Sequence, residues 1–323
     1  MIRSKIVGIG SYLPPRVLTN SDLEKMVDTS DAWIIERTGI KSRHIAAQNE
    51  YTSDLAVKAA LNALENAGMA AQDLDMIILA TTTPDETLPA TATKVQKALG
   101  MTHGFAFDIQ AVCSGFMFAL ATADNYIRSG AVRTVLVIGA ETLSKIVDWK
   151  DRNTCVLFGD GAGAVILQAS EGDGTSKDTG ILATALRSDG TYHDILKTTG
   201  GPSTTGTAGY IYMEGREVFR HAVTNLADIA RQVMADAGIE SQDIDCLVPH
   251  QANSRIIEGT AKKLSMSMDK VVLSLPTHGN TSAASIPLAL DFGVKSGQIK
   301  QGDLLLLESM GGGFTWAGSL IRL

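Results

Sequence analysis

The sequence predicts an α/β fold built as two related halves. Short continuous apolar runs, of the kind found in strands buried on both faces, alternate along the chain with segments of helical spacing. Motifs of the first half return in the same order in the second, and a glycine-rich stretch, Glu171-Gly172-Asp173-Gly174, divides them. The halves are residues 1–172 and 173–323.

In order, residues 5–10 read as a strand, Pro14-Pro15 ends it, and Thr19-Asn20-Ser21-Asp22 offers caps for a short helix. The next segment sets Trp33 near two cations, Arg37 and Arg43, a grouping able to hold an aromatic base and its phosphates. A helix opens at Thr52 and stops at Gly68, a residue type suited to a helix end. The run 76–81 is a buried strand, and a helix is expected over about residues 90–99. Residues 104–109 form a strand, 115–128 a helix ended by Ser129-Gly130, and 134–139 and 161–167 two more strands. Residues 66–75 match 236–245, 129–133 match 296–300, and 161–167 pair with 317–323.

A chain of 323 residues with 45% hydrophobic and 20% charged residues buries a sizeable core. Its formal charge of −7 argues against non-specific nucleic-acid binding. Cys113, Cys155 and Cys246 stand far apart with no CxxC pair, which suggests neither a disulfide framework nor a zinc site and fits a reducing compartment. No apolar run is long enough to span a membrane and none marks a signal peptide, so the expected location is cytoplasmic.

Three residues carry the chemistry. Cys113 falls between a strand and a helix, where free N–H groups and the positive end of the helix dipole favour a thiolate and lower its pKa. In the second half, His250 and Asn280 occupy strand ends, and in repeat register Cys113 and Asn280 fall at roughly equivalent places. A thiolate attacks carbonyls, an imidazole moves or stabilises charge, and an amide donates to a developing oxyanion. Taken singly, each also fits a buried cysteine, a core histidine or a turn-forming asparagine. Phe158-Gly159-Asp160-Gly161-Ala162-Gly163 resembles a phosphate loop only faintly, since Asp160 would repel phosphate, and tight strand packing is expected instead. Residues 197–210, rich in Thr and Gly, read as a surface loop or lid near a cleft.

Thr29-Ser30-Asp31-Ala32-Trp33, Arg37-Thr38-Gly39-Ile40, the Cys113 turn, Val248-Pro249-His250-Gln251-Ala252-Asn253, His278-Gly279-Asn280-Thr281-Ser282-Ala283-Ala284 and Gly311-Gly312-Gly313-Phe314-Thr315-Trp316 together resemble the β-ketoacyl-acyl carrier protein synthase III family. These are the initiating condensing enzymes of bacterial fatty-acid synthesis, in the thiolase-like superfamily. The resemblance spans essentially the whole chain. It implies two duplicated βαβαβαββ halves about a pseudo-two-fold axis, layered α-β-α-β-α, and a homodimer. It further implies that Cys113 takes an acyl group from acyl-CoA, most simply acetyl-CoA, with backbone N–H groups of Cys113 and Gly312 as its oxyanion hole. Malonyl-acyl carrier protein then loses CO2 while His250 and Asn280 hold its thioester carbonyl, and no metal or redox cofactor takes part. Coenzyme A would be held by Trp33, Arg37, Arg152, Phe219 and Asn253, and the acidic carrier protein by Arg220, Arg255, Lys262 and Lys263. Two positions depart from the pattern. Leu88 stands where relatives often carry an aromatic that closes the partner subunit's acyl pocket, and Met310 where many carry Phe. Competing readings are a paralogue within the family that makes a secondary metabolite with the same triad and a different acyl donor, a papain-like Cys-His-Asn hydrolase, against which the α/β repeat argues, and a non-catalytic acyl-CoA-binding module.

Overall fold

In the computed structural model, which describes residues 1–323, two sheets enclose a shared pair of helices. The first half runs β1 (Ile2–Tyr12), α1 (Thr52–Ala67), β2 (Met76–Ala80), α2 (Thr91–Ala98), β3 (Phe105–Ile109), α3 (Gly115–Arg128), β4 (Thr134–Thr142) and β5 (Asp160–Glu171). The second runs β6 (Gly180–Ser188), α4 (Gly215–Ala237), β7 (Cys246–Pro249), α5 (Ser254–Lys263), α6 (Ser285–Lys295), β8 (Leu304–Gly311) and β9 (Thr315–Arg322).

The first sheet has the order β1-β5-β4-β2-β3, with β2 parallel to both β3 and β4. The second has the order β6-β9-β8-β7, and a parallel bridge from Leu247 to Val271 stands where β3 stands in the first. The duplication extends to the hydrogen bonds at the strand starts. Thr134 N–H donates to the Asp75 carboxylate at 2.9 Å, and Leu304 N–H donates to the Asp245 carboxylate at 2.8 Å.

Burial accounts for the five layers. Leu55, Ala59, Ile77, Leu136 and Ile166 join α1 to the outer face of the first sheet. Phe116, Leu120, Ile286 and Leu290 of α3 and α6 fill the space between the sheets, against Ile78 from one and Leu305 from the other. Ile229, Val233 and Ile257 of α4 and α5 cover Leu306 and Leu320 on the far side. Because both faces of β2 are covered, its five residues are all buried, which is why the run reads as continuously apolar rather than alternating.

The glycines of β5 serve close packing. A Cβ on Gly163 would lie 2.7 Å from the Leu288 nitrogen of α6. Asp160 beside them is fully buried and accepts the N–H groups of Ala46 and Ser144, so the stretch is structural. Residues 197–210 are framed by a two-stranded ribbon of Leu196–Thr198 and Ile211–Met213.

Two expectations need correction. Arg43 is not near the Trp33 ring: it lies on the ribbon strand Ser42–Ile45, is fully buried, and donates to the Leu18 and Val156 carbonyls and to Asn20 Oδ1. Burial without a carboxylate partner pushes its guanidinium down to about 10. The repeat register also shifts. Val112 and Ser282 both hold positive φ, 50° and 49°, in the turns leading into α3 and α6. The counterpart of Cys113 is therefore Ala283, and Asn280 lies three residues earlier.

Candidate active site

Cys113 sits in a single 3-10 turn, Val112–Ser114, that runs directly into α3. Two hydrogen bonds tie this turn to β9: the Ser114 hydroxyl donates to the Thr315 carbonyl at 3.0 Å, and the Thr315 hydroxyl donates to the Ala111 carbonyl at 2.9 Å. β8 closes the other side, where a Cβ on Gly311 would stand 2.6 Å from the Cys113 nitrogen. Only glycine lets strand and turn approach this closely.

His250 follows the last residue of β7, and its N–H donates to the Glu308 carbonyl at 2.8 Å. The next residue fixes the loop. Gln251 is buried, donates from Nε2 to the carbonyls of Pro249 and Val272, and accepts the N–H groups of Ser274 and Leu275. All the hydrogen-bonding capacity of that amide is used to join the His250 loop to the segment leading to Asn280. Asn280 is clamped through its own backbone, donating to the Leu157 carbonyl at 2.9 Å and accepting from Gly159 N–H at 3.0 Å. Its Oδ1 accepts the Ser282 N–H at 2.9 Å, which leaves the amide Nδ2 as donor.

Cys113, His250, Asn280 and Gly312 all line one cleft of roughly 1850 Å³. Trp33, Arg37, Phe219, Asn253 and Arg255 line it too, as do Met310 and the Thr- and Gly-rich segment after Leu196. Arg37 and Arg152 place their guanidinium carbons 4.9 and 5.1 Å from the Trp33 ring centroid, and Arg152 also donates to the Asp28 carbonyl. Asn253 caps α5 and donates to the Arg37 carbonyl, joining the Trp33 helix (Asp31–Thr38) to the second half. Arg255 lies over the Phe219 ring at 5.5 Å. Arg220 is paired with Glu217 at 2.7 Å, and Lys263 donates to the Thr224 hydroxyl. Leu88, 79% exposed beside the cis Leu88-Pro89 bond, does not line the cleft of its own chain.

The thiol differs from expectation. Burial pushes Cys113 up to about 12; the nearby Glu141 charge adds to the rise, while the Ser282 hydroxyl and the backbone N–H of Cys113 itself act against it. Desolvation outweighs the helix terminus here, since a dry site penalises the charged form more than partial charges at one turn reward it. Burial also holds the His250 imidazole down to about 4, and its Nδ1 has no partner. The resting site thus combines a neutral thiol, a neutral imidazole and an amide donor.

The sequence singled out Cys113, His250 and Asn280 but not Gln251, Ser282 or Glu141 around them. Gln251 and Ser282 lay within quoted motifs, although nothing in their spacing announced the bonds they make. The structure has no group of three or more His, Cys, Asp or Glu side chains placed to hold a metal ion, and no helix long and apolar enough to cross a membrane.

Two duplicated halves with a cysteine at the head of one central helix define a thiolase-like condensing enzyme, an acyltransferase by class. Residues 107–190 match 3-oxoacyl-[acyl-carrier-protein] synthase III, and residues 234–323 match its C-terminal domain. The chain is 62% identical over 323 residues to β-ketoacyl-[acyl-carrier-protein] synthase III of Paramagnetospirillum magneticum, covering 100% of both. It is 63% identical over 321 residues to that of Rhodospirillum centenum, covering 99% of each. The solved structure of 3-oxoacyl-[acyl-carrier-protein] synthase III from Aquifex aeolicus VF5 superposes with a TM-score of 0.93 at 49% identity, over 99% of this chain and 100% of that one. The chain belongs to the β-ketoacyl-acyl carrier protein synthase III family.

Proposed function

We propose that the chain joins an acyl-CoA primer, acetyl-CoA in the simplest case, to malonyl-acyl carrier protein in the first condensation of fatty-acid synthesis. The observation that carries this reading is the convergence of Cys113, His250 and Asn280 on one cleft with the Trp33–Arg37–Arg152 group at hand. In the first half-reaction, Cys113 sulfur bonds to the acyl carbon and the CoA sulfur leaves, taking the thiol proton as CoA–SH. The backbone N–H groups of Cys113 and Gly312 receive the oxyanion. In the second, the malonyl thioester carbonyl lies against His250 and Asn280. Its C–CO2 bond breaks, the electron pair becomes an enolate held by the two donors, and CO2 departs. The enolate carbon then bonds to the acyl carbon and Cys113 sulfur leaves as a thiolate that takes up a proton from solvent, giving β-ketoacyl-acyl carrier protein and the resting thiol. A neutral imidazole suits this role, because it donates one hydrogen bond without needing to be charged.

Coenzyme A would lie with its adenine on Trp33 between the guanidiniums of Arg37 and Arg152, and its pantetheine past Phe219 and Asn253. Arg255, Lys262, Lys263 and Arg220 would receive the carrier protein, with Arg255 nearest the cleft. The reading calls for no metal or redox cofactor, acyl-CoA being a substrate. The two halves, residues 1–172 and 173–323, supply the nucleophile and the enolate-holding pair respectively. A homodimer is supported by β3, an edge strand whose Phe105 is 41% exposed, and by the projecting Leu88. An aliphatic side chain at position 88 would leave the partner's acyl pocket open to primers longer than acetyl.

Intact-protein mass spectrometry after mixing with acetyl-CoA tests the scheme. An acetyl adduct that is absent in Cys113→Ala and discharged by malonyl-acyl carrier protein is the expected result. No adduct with acetyl-CoA or any longer acyl-CoA overturns it. Comparing turnover of acetyl-CoA with C4 to C8 acyl-CoAs tests the Leu88 reading, which a strict acetyl preference would refute.

A further inference from the structure

Glu141 is the least expected group near the reaction centre. β4 is otherwise a run of apolar and small residues, buried along its whole length, and near its end stands a carboxylate with no solvent access. The duplication makes the oddity measurable. With Thr134 and Leu304 bound alike to Asp75 and Asp245, Glu141 on β4 corresponds to Gly311 on β8. Gly311 presses on the Cys113 backbone, and Gly139, on the same face of β4 as Glu141, presses on the Ala283 carbonyl in the turn Ser282–Ala284. One half therefore offers a glycine at this position and the other a buried carboxyl.

Burial raises the Glu141 carboxyl, and the hydrogen-bond donors around it act the other way. It accepts from the hydroxyls of Thr81 (3.2 Å), Thr82 (2.8 Å) and Thr83 (2.6 Å) and from the Thr82 N–H (3.1 Å). The Thr82 N–H can only donate and the three hydroxyls are free to, an arrangement that suits a carboxylate. Between it and the thiol lies Ser282, whose hydroxyl faces both groups yet is buried without a hydrogen-bond partner. Ser282 is held in a left-handed conformation and is tied by its N–H to Asn280, so its position is fixed from both sides. The other groups around the thiol are His250, which is neutral, and the uncharged Asn280 and Gly311.

We propose that Glu141 is ionised and is a positioning residue that acts on Cys113 with Ser282 between them, adding to the burial that keeps the resting cysteine a neutral thiol. A fixed anion in a dry interior makes a second negative charge beside it costly, and a protonated thiol resists alkylation and oxidation. Ser282 opposes this as the donor awaiting the sulfur when it becomes negative. The proposal deepens the reading of Cys113 as nucleophile, but its test does not depend on acyl transfer.

The experiment is iodoacetamide alkylation of the full chain between about pH 7 and pH 10, followed at the Cys113 peptide so that Cys155 and Cys246 are scored apart. Glu141→Gln should move the Cys113 profile to lower pH and raise the rate near pH 8 by roughly threefold or more. Glu141→Asp, which keeps the charge, should stay near the native profile. Ser282→Ala should move the profile to higher pH. A general loosening of the site shifts both neutral variants the same way, and that outcome overturns the proposal, as does an unchanged or slower Glu141→Gln. Should Glu141→Gln fail to fold, Ser282→Ala decides alone: a shift to higher pH supports the proposal, and no shift or a shift to lower pH overturns it.

Discussion

His250 and His278 are both held near 4, His250 by burial and His278 by burial first and the neighbouring His44 second. An unfolded chain returns each to an ordinary histidine value, so the unfolded state takes up protons before the folded state does. Stability from these residues is whole above about pH 6.5 and is lost as pH falls toward about 4. Their share of the denaturant midpoint should therefore drop between pH 7 and pH 5, by about a kcal/mol or more of stability, against the opposite contribution of Glu308, whose carboxyl burial pushes up to about 8. His278→Gln, which removes one of the two, should flatten the drop; an equally steep profile in that variant would show that His278 is not buried neutral. The same depression keeps His250 an uncharged donor throughout that range, so acid loss of activity should track unfolding rather than titration of His250.

Close approach governs the elements around Cys113, and glycine at two kinds of place shows it. Gly311→Ala forces a methyl group into the Cys113 backbone and should cost about 1–3 kcal/mol together with most of the acyl-enzyme yield. Gly238→Ala, at the end of α4 with φ of 64° and nothing within 4 Å of the added carbon, should cost about 1 kcal/mol and leave acylation intact. Thermal melts beside acetyl-adduct mass spectra separate the two. This element level was also where sequence reading succeeded best. The helix from Thr52 to Gly68 was legible because caps and glycine stops act over a few residues. The Cys113 turn was legible because strand, small residues and helix follow one another directly. Arg43 was misread because nearness to Trp33 in sequence says nothing about which side of a strand a side chain takes. Glu141 was invisible for a different reason: its threonine donors lie about sixty residues earlier, on a neighbouring strand end, and no local pattern encodes such a contact.

At the scale of the whole molecule, β3 is the exposed feature with the most to hide. It is an edge strand carrying Phe105 and Phe107 stacked at 6.4 Å, with Tyr126 of α3 beside them. Unpaired edges with apolar side chains invite another strand. Phe105→Lys should convert the proposed dimer to monomer on sizing with light scattering, and a native chain that is already monomeric would refute the dimer. Duplication was legible at this scale because matching segments recurred in order, whereas its register was not, since the turns at Val112 and Ser282 align only in three dimensions.

The helices α3 and α6 also set how the molecule comes apart. Phe116 and Leu120 from one half share a single buried cluster with Ile286 and Leu290 from the other, and strands of both sheets close on it. Neither half can keep its inner face dry alone. The two should therefore melt as one cooperative unit, with coincident loss of signal from Trp33 and Trp149 in the first half and Trp316 in the second. A chain nicked in the connection between β5 and β6 would stay assembled and active, whereas either fragment by itself would be an unfolded or aggregating polypeptide.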